Sequence, residues 1–117
     1  SGAQPWLEDG IEEISLSDAY FRAQQGKTDK HVAAAFRREM LKAESSGSTA
    51  YIAQTKNNFA ASLIDLGARA TSPDAIRSIY TEAIEHFLAV LAITPGSRTS
   101  EDNLSAARKN LLHRVGA

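Results

Sequence analysis

Helix-breaking residues divide this sequence at intervals that match the lengths of helices. Between the breakers, residues that favour helices dominate, and no window alternates apolar and polar residues over several β-branched or aromatic positions. The breakers are Pro5, Pro73, Pro95, Gly26, Gly47, Gly67, Gly96 and Gly116. The pattern predicts an all-α fold of about five helices joined by short polar loops.

Local signals predict where these helices begin and end. The first is expected over about Ser17–Gln25, and the second begins after Asp29, a good N-cap residue, and ends at residues 45–48. The fourth begins at Ser72-Pro73-Asp74, where a capping hydroxyl, a proline at the first helical position and an acidic first turn coincide. Residues 99–102, Thr-Ser-Glu-Asp, are expected to cap the last helix.

Apolar residues recur at helical spacing in the last three helices, so each helix should bury one face. These stripes are Ile52, Phe59, Leu63, Leu66 and Ala70; then Ile76, Tyr80, Ala83, Phe87 and Val90; then Leu104, Ala107, Leu111 and Val115. Ile84, Leu88 and Leu91 widen the stripe of the fourth helix, which is therefore predicted to be the centre of the core, packed against two neighbours.

Charge and composition exclude several classes of partner. Thirteen basic and fourteen acidic residues give a net charge of -1, so no broad positive field would attract nucleic acid or anionic lipid. No apolar stretch is long enough to span a bilayer, so no membrane insertion is expected. The chain has no cysteine, which removes disulfides, thiolate nucleophiles and cysteine zinc sites.

A single domain is expected over residues 17–117, since a chain of this length can bury a hydrophobic core by itself. Residues 1–16 are predicted to form an irregular lead-in that contains Trp6, and the start of the chain is interpreted as the edge of an expressed fragment of a larger protein. The protein is expected to be soluble. Its compartment stays open, with the cytoplasm as the default.

Two segments resemble the tetratricopeptide repeat, a helix pair of about 34 residues defined by alternating small and bulky side chains. Asn57-Asn58-Phe59-Ala60-x-x-Leu63-x3-Gly67 is similar to the first helix, and Ala83-x3-Phe87-x-x-Val90-x4-Pro95 is similar to the second. The resemblance implies a short right-handed array of stacked antiparallel helix pairs, with residues 104–115 in a closing helix. Upstream, Tyr20 to Lys27 and Val32-x3-Phe36 resemble an earlier pair.

The chain departs from the repeat pattern in two ways. Lys56 stands where the family usually has a large aromatic residue, and about eleven extra residues separate Gly67 from Ala83, close to three helical turns that longer helices would absorb. Pro95 followed by Asn103-Leu104 also resembles, more weakly, the peptide-substrate-binding domain of collagen prolyl 4-hydroxylases.

The resemblance implies a concave groove, lined by the first helix of each pair, where extended peptides bind. The candidate groove residues are Gln54, Asn57, Asn58, Ala61, Asp65, Asp102, Ala106 and Lys109. In relatives that clamp a terminal carboxylate, an asparagine stands at the place of Asn58. Thr99 and Asn103 occupy the places of the clamp's basic residues, so no such clamp is expected. The alternative is that Asn57 and Asn58 are simply exposed helix residues.

Catalytic, metal and cofactor sites are not expected in this sequence. His31, His86 and His113 lack a metal-binding spacing, although Glu82 and His86 are one turn apart and can share a surface contact. Arg37, Arg38 and Lys42 are interpreted as an ordinary solvated face.

The leading hypothesis is therefore a protein- or peptide-binding module with no chemistry of its own. Two alternatives stay open. One is the substrate-recognition domain of a larger enzyme such as a prolyl hydroxylase, and the other is a structural or self-associating bundle that forms homo-oligomers.

Overall fold

The computed structural model describes residues 10–116, and these residues form five α-helices and no strand. The helices are α1 (Leu16–Gln24), α2 (Lys30–Ser46), α3 (Thr49–Arg69), α4 (Pro73–Ile93) and α5 (Arg98–Val115). The all-α prediction is thus confirmed. The predicted lead-in residues 1–9, including Trp6, lie outside the described residues.

Each helix begins at a side chain that accepts a hydrogen bond from a backbone amide of its first turn, which stabilises a helix by about 0.5–2 kcal/mol. These N-caps are Ser15, Asp29, Ser48, Ser72 and Ser97. The N-caps predicted at Asp29 and Ser72 are confirmed, with Pro73 at the start of α4. The cap predicted within residues 99–102 is wrong, because the Ser97 hydroxyl accepts from the Ser100 amide and α5 begins earlier.

Consecutive helices pack against one another along the chain, and α4 packs against both α3 and α5, as predicted. Phe59, Leu63, Tyr80 and Phe87 are almost completely buried. The radius of gyration of 13.5 Å is close to the roughly 13 Å expected for a compact domain of this length. Leu88 was predicted to be buried, but 45% of it is exposed because the neighbours of α4 do not reach that edge of the helix.

Most of the residues between Gly67 and Ala83 lie within helices. Both α3 and α4 contain 21 residues, and only residues 70–72 separate them. Lys56 directs its ammonium to Glu44 at 2.8 Å while only 14% of its side chain is exposed. Its alkyl stem therefore covers apolar surface at a position where an aromatic ring was the expected residue type.

Residues 10–15 run along α2 without helical structure. The Arg38 guanidinium donates to the carbonyl of Ile14 at 2.7 Å, and the Glu12 amide donates to Nδ1 of His31 at 2.9 Å. Ile14 is itself buried. His31 thus holds this segment in place together with Arg38, which was expected to lie on an ordinary solvated face.

Candidate functional site

The adjacent asparagines of α3 hydrogen-bond to different helices. Asn58 Nδ2 donates to the Tyr20 hydroxyl of α1 at 2.8 Å, and Asn57 Oδ1 accepts from the Ser100 hydroxyl of α5 at 3.1 Å. Consecutive helical residues point about 100° apart, which allows one pair of amides to reach two neighbours. Both asparagines are half-buried. Neither asparagine is simply exposed, since each also makes a hydrogen bond to a neighbouring helix.

On the α1 side of α3 lies a small depression, which we name the Asp65 cleft. Its volume is about 170 Å³. The cleft is lined by Tyr20, Ala23, Phe36, Asn58, Ala61, Ser62 and Asp65. Tyr20 and Phe36 meet edge to face, with ring centroids 5.0 Å apart and planes at 80°. Three predicted groove residues, Asn58, Ala61 and Asp65, are brought together here.

The carboxylate of Asp65 is partly withdrawn from water. Burial raises the pKa of Asp65 above the usual aspartate range, and the Thr28 hydroxyl and the Arg69 guanidinium oppose this rise without cancelling it. Thr28 is fully buried, and apart from this weak contact with Asp65 its hydroxyl has no hydrogen-bond partner within residues 10–116. The cleft thus contains a carboxylate that water solvates only in part, and its wall includes two aromatic rings.

A second depression, which we name the Gln54 cleft, lies on the α5 side of α3. Its volume is about 300 Å³. The lining residues are Ala50, Ala53, Gln54, Asn57, Val90, Thr94, Ser97, Thr99 and Ser100. Two more predicted groove residues, Gln54 and Asn57, are found here, beside hydroxyl groups from the α4–α5 connection and the start of α5.

The three predicted residues of α5 line neither of these clefts. Asp102 and Lys109 are exposed, and Ala106 is half-buried. The eight candidates therefore form three groups, on the two sides of α3 and on α5. Sequence reasoning did not include Tyr20 or Ser100, which hydrogen-bond Asn58 and Asn57. These partners are 38 and 43 residues from their asparagines, so no local sequence signal identified them.

His86 and Lys42 make ordinary contacts with acidic residues of their own helices. His86 Nε2 lies 3.3 Å from Glu82 Oε2, as the spacing predicted. Lys42 pairs with Glu39 at 3.7 Å. Within residues 10–116, no group of three or more His, Cys, Asp or Glu side chains is arranged to hold a metal ion. None of the helices in this range is both long and apolar enough to cross a membrane.

Comparisons with known proteins give no match. No protein-family model matches the chain, and no curated protein or solved structure shows significant similarity to it. The two clefts and the helices that form them are therefore the features of this chain that bear on its function.

Proposed function

We propose that this chain is a tetratricopeptide-like module that binds an extended peptide segment of another protein across the α3 surface. In this proposal α1 with α2, and α3 with α4, are antiparallel pairs stacked in a right-handed array, and α5 closes it. The module performs no reaction itself. Its task is to hold a segment of its partner.

The observation that carries the proposal is the position of α3 between α1 and α5. Asn58 reaches Tyr20 of α1, while Asn57 reaches Ser100 of α5. In a stack of helix pairs, the first helices of successive pairs stand side by side and form the concave surface. The two asparagine contacts support such an order of first helices.

The small and bulky residues of the repeat pattern support the same arrangement. Ala60 and Ala83 are completely buried, as are Phe59 and Phe87. Small side chains let neighbouring helix backbones approach, and the rings fill the remaining space. If Ala60 or Ala83 faced solvent, the resemblance would have no physical basis.

The outer side of α5 favours its role as a closing helix. Leu112 is the one large apolar side chain of α5 that is exposed to solvent. The other exposed positions of residues 98–116 are polar or charged, apart from Gly116. The exposed positions within residues 98–116 are Arg98, Thr99, Glu101, Asp102, Ser105, Arg108, Lys109, Leu112, His113, Arg114 and Gly116. A terminal repeat element needs such a polar outer face.

Peptide-display selection against the immobilised chain tests the proposal. Selected peptides would then be measured by calorimetry with the wild type and with a double variant, Asn58→Ala plus Asp65→Ala. We expect the variant to bind about tenfold more weakly, because a half-buried amide and a carboxylate are lost together. Thr81→Ala plus Glu85→Ala, at exposed positions of α4, is the matched control.

Circular dichroism of both variants checks that the helices are intact. Failure to select any peptide, or equal affinities for the wild type and the groove variant, contradicts binding across α3.

A further inference from the structure

Asp65 has no basic partner at ion-pair distance within residues 10–116. Asp18 and Glu44, by contrast, pair with Arg22 at 3.1 Å and with Lys56 at 2.8 Å. The charge of Asp65 is instead presented to the Asp65 cleft.

The basic residue that is best placed on α3 to pair with Asp65 makes a different contact. Arg69 stands four residues later on α3, the spacing at which opposite charges on a helix ordinarily meet. Its guanidinium donates instead to the carbonyl of Gly26, at the end of α1. That hydrogen bond joins α3 to the α1–α2 connection, and it leaves the Asp65 carboxylate without a close cation.

The other polar groups of the cleft favour a ligand that donates hydrogen bonds. The amide nitrogen of Asn58 already donates to the Tyr20 hydroxyl, and the Ser62 hydroxyl donates to the Phe59 carbonyl at 2.6 Å. The amide oxygen of Asn58 has no hydrogen-bond partner within the described residues. Two hydrogen-bond acceptors of α3, the Asn58 amide oxygen and the Asp65 carboxylate, thus line the cleft.

The apolar wall and the size of the cleft fit the stem of one long side chain. Tyr20 and Phe36 supply aromatic surface, and Ala23 and Ala61 leave room beside it. A volume of about 170 Å³ lies below the roughly 300 Å³ at which pockets for small organic ligands begin. A lysine or arginine buries its methylene groups against apolar surface while its charged end reaches a carboxylate.

We propose that the Asp65 cleft receives one basic side chain, through its ammonium or guanidinium group, from the peptide that the module binds. The Asp65 carboxylate and the Asn58 amide oxygen accept from the charged end, and the Tyr20 and Phe36 rings contact the stem. This inference rests on the proposed peptide-binding function and adds to it the chemistry of the partner residue.

Butylguanidinium and butylammonium are small probes that test this chemistry without a known peptide. Titration into ¹⁵N-labelled protein, followed by NMR, should give saturable shifts at the Asn58 side-chain amide and the Asp65 backbone amide. Butanol and butyrate, which keep the stem but are neutral or negative, should leave these signals nearly unchanged.

Asp65→Asn keeps the size of the side chain and removes its charge. We expect it to weaken butylguanidinium binding about five- to tenfold, since one charge-assisted hydrogen bond is lost. Glu85→Gln removes an exposed charge from α4 and should leave the affinity within twofold of the wild type. Equal shifts with butanol, or unchanged binding by Asp65→Asn, would overturn the assignment of the cleft.

Selected peptides separate this inference from the proposed function. If peptides bind across α3 and replacement of each basic residue by norleucine changes nothing, the module binds peptides but the basic-residue assignment is wrong. If no peptide is selected while butylguanidinium binds through Asp65, the cleft prefers cations and the peptide-binding function is wrong. Loss of affinity only for the norleucine peptide, and only with intact Asp65, supports both.

Discussion

The ring of Tyr80 in α4 packs directly on the backbone of Gly67 in α3. A Cβ atom at Gly67 would lie 2.9 Å from both Cε2 and Cζ of that ring, and 3.2 Å from Cγ2 of Ile79. Tyr80 is 1% exposed, so its ring has no free space into which it can move. Glycine at this helical position therefore serves close packing of two helices.

We expect Gly67→Ala to destabilise the protein by about 1–2 kcal/mol. Alanine favours a helix over glycine by about 1 kcal/mol, but forcing a methyl group into packed space costs about 1–3 kcal/mol or more. Urea unfolding followed by circular dichroism measures the difference in the free energy of unfolding.

A Tyr80→Ala background is the control for this prediction. With the ring removed, the same glycine replacement should become close to neutral, because only the Ile79 contact is left. A similar loss of stability in both backgrounds would show that the ring is not the cause.

Asn57→Ala should destabilise the protein more than Asn58→Ala. Asn57 accepts from Ser100, which is 2% exposed, so its loss leaves a buried hydroxyl without its acceptor at a cost of about 1–3 kcal/mol. The partner of Asn58 is Tyr20, which is 40% exposed and can bond to water instead, so we expect about 0.5 kcal/mol or less. Thermal and urea unfolding compare the two variants. Equal losses would contradict the buried role of Ser100.

Asp65→Asn should raise stability at neutral pH. Because the folded protein raises the pKa of Asp65, this carboxyl group favours folding below its unfolded pKa of about 3.9, and that contribution is lost as the pH rises through the folded value. The Asp65→Asn variant has no carboxyl group to ionise, so its stability does not fall in this way as the pH rises. The gain at pH 7 should be only a few tenths of a kcal/mol, because the side chain is largely exposed.

Melting temperatures measured between pH 3 and pH 7 test this dependence. The difference between Asp65→Asn and the wild type should shrink as the pH falls, and Asp102→Asn is the control for removal of one exposed charge. A variant that is less stable than the wild type at pH 7 would show that Asp65 stabilises the fold.

Arg114→Ala should loosen both the end of α5 and the end of α3. The guanidinium donates to the Gly67 carbonyl at 2.5 Å and to the Ala70 carbonyl at 2.6 Å. We expect a loss of about 1 kcal/mol in global stability and faster hydrogen exchange around residues 66–70 and 111–115. Arg114→Lys should recover only part of the loss, because an ammonium lacks the planar set of N–H donors with which a guanidinium reaches two carbonyls at once. Unchanged exchange near residue 67, or the same change in Arg108→Ala, contradicts the contact.

Local signals made several features of the fold predictable from the sequence. Asp29 and Ser72 act within one turn of their own positions, so their capping roles need no tertiary information. The start of α5 was misplaced because Ser97, Thr99 and Ser100 are all acceptable caps, and only the geometry of the chain selects among them. Leu88 shows a similar limit, since periodicity identifies an apolar face without giving the width that neighbours cover.

The candidate site depends on contacts between distant residues. Asn58, Ala61 and Asp65 share one helical face, so sequence spacing was enough to group them. The hydrogen bond from Arg69 to Gly26 joins residues that are 43 positions apart in the sequence. It directs the Arg69 guanidinium to the Gly26 carbonyl, and Arg69 makes no ion pair with Asp65. No local pattern in α3 predicts that contact.

The contact between Arg114 and the end of α3 has a consequence for how the chain folds during synthesis. The carbonyls of Gly67 and Ala70 accept hydrogen bonds from a side chain that is synthesised 47 and 44 residues later. These two hydrogen bonds at the end of α3 therefore form only after residue 114 has emerged from the ribosome. A nascent chain interrupted before that point would lack both hydrogen bonds that join α5 to the end of α3.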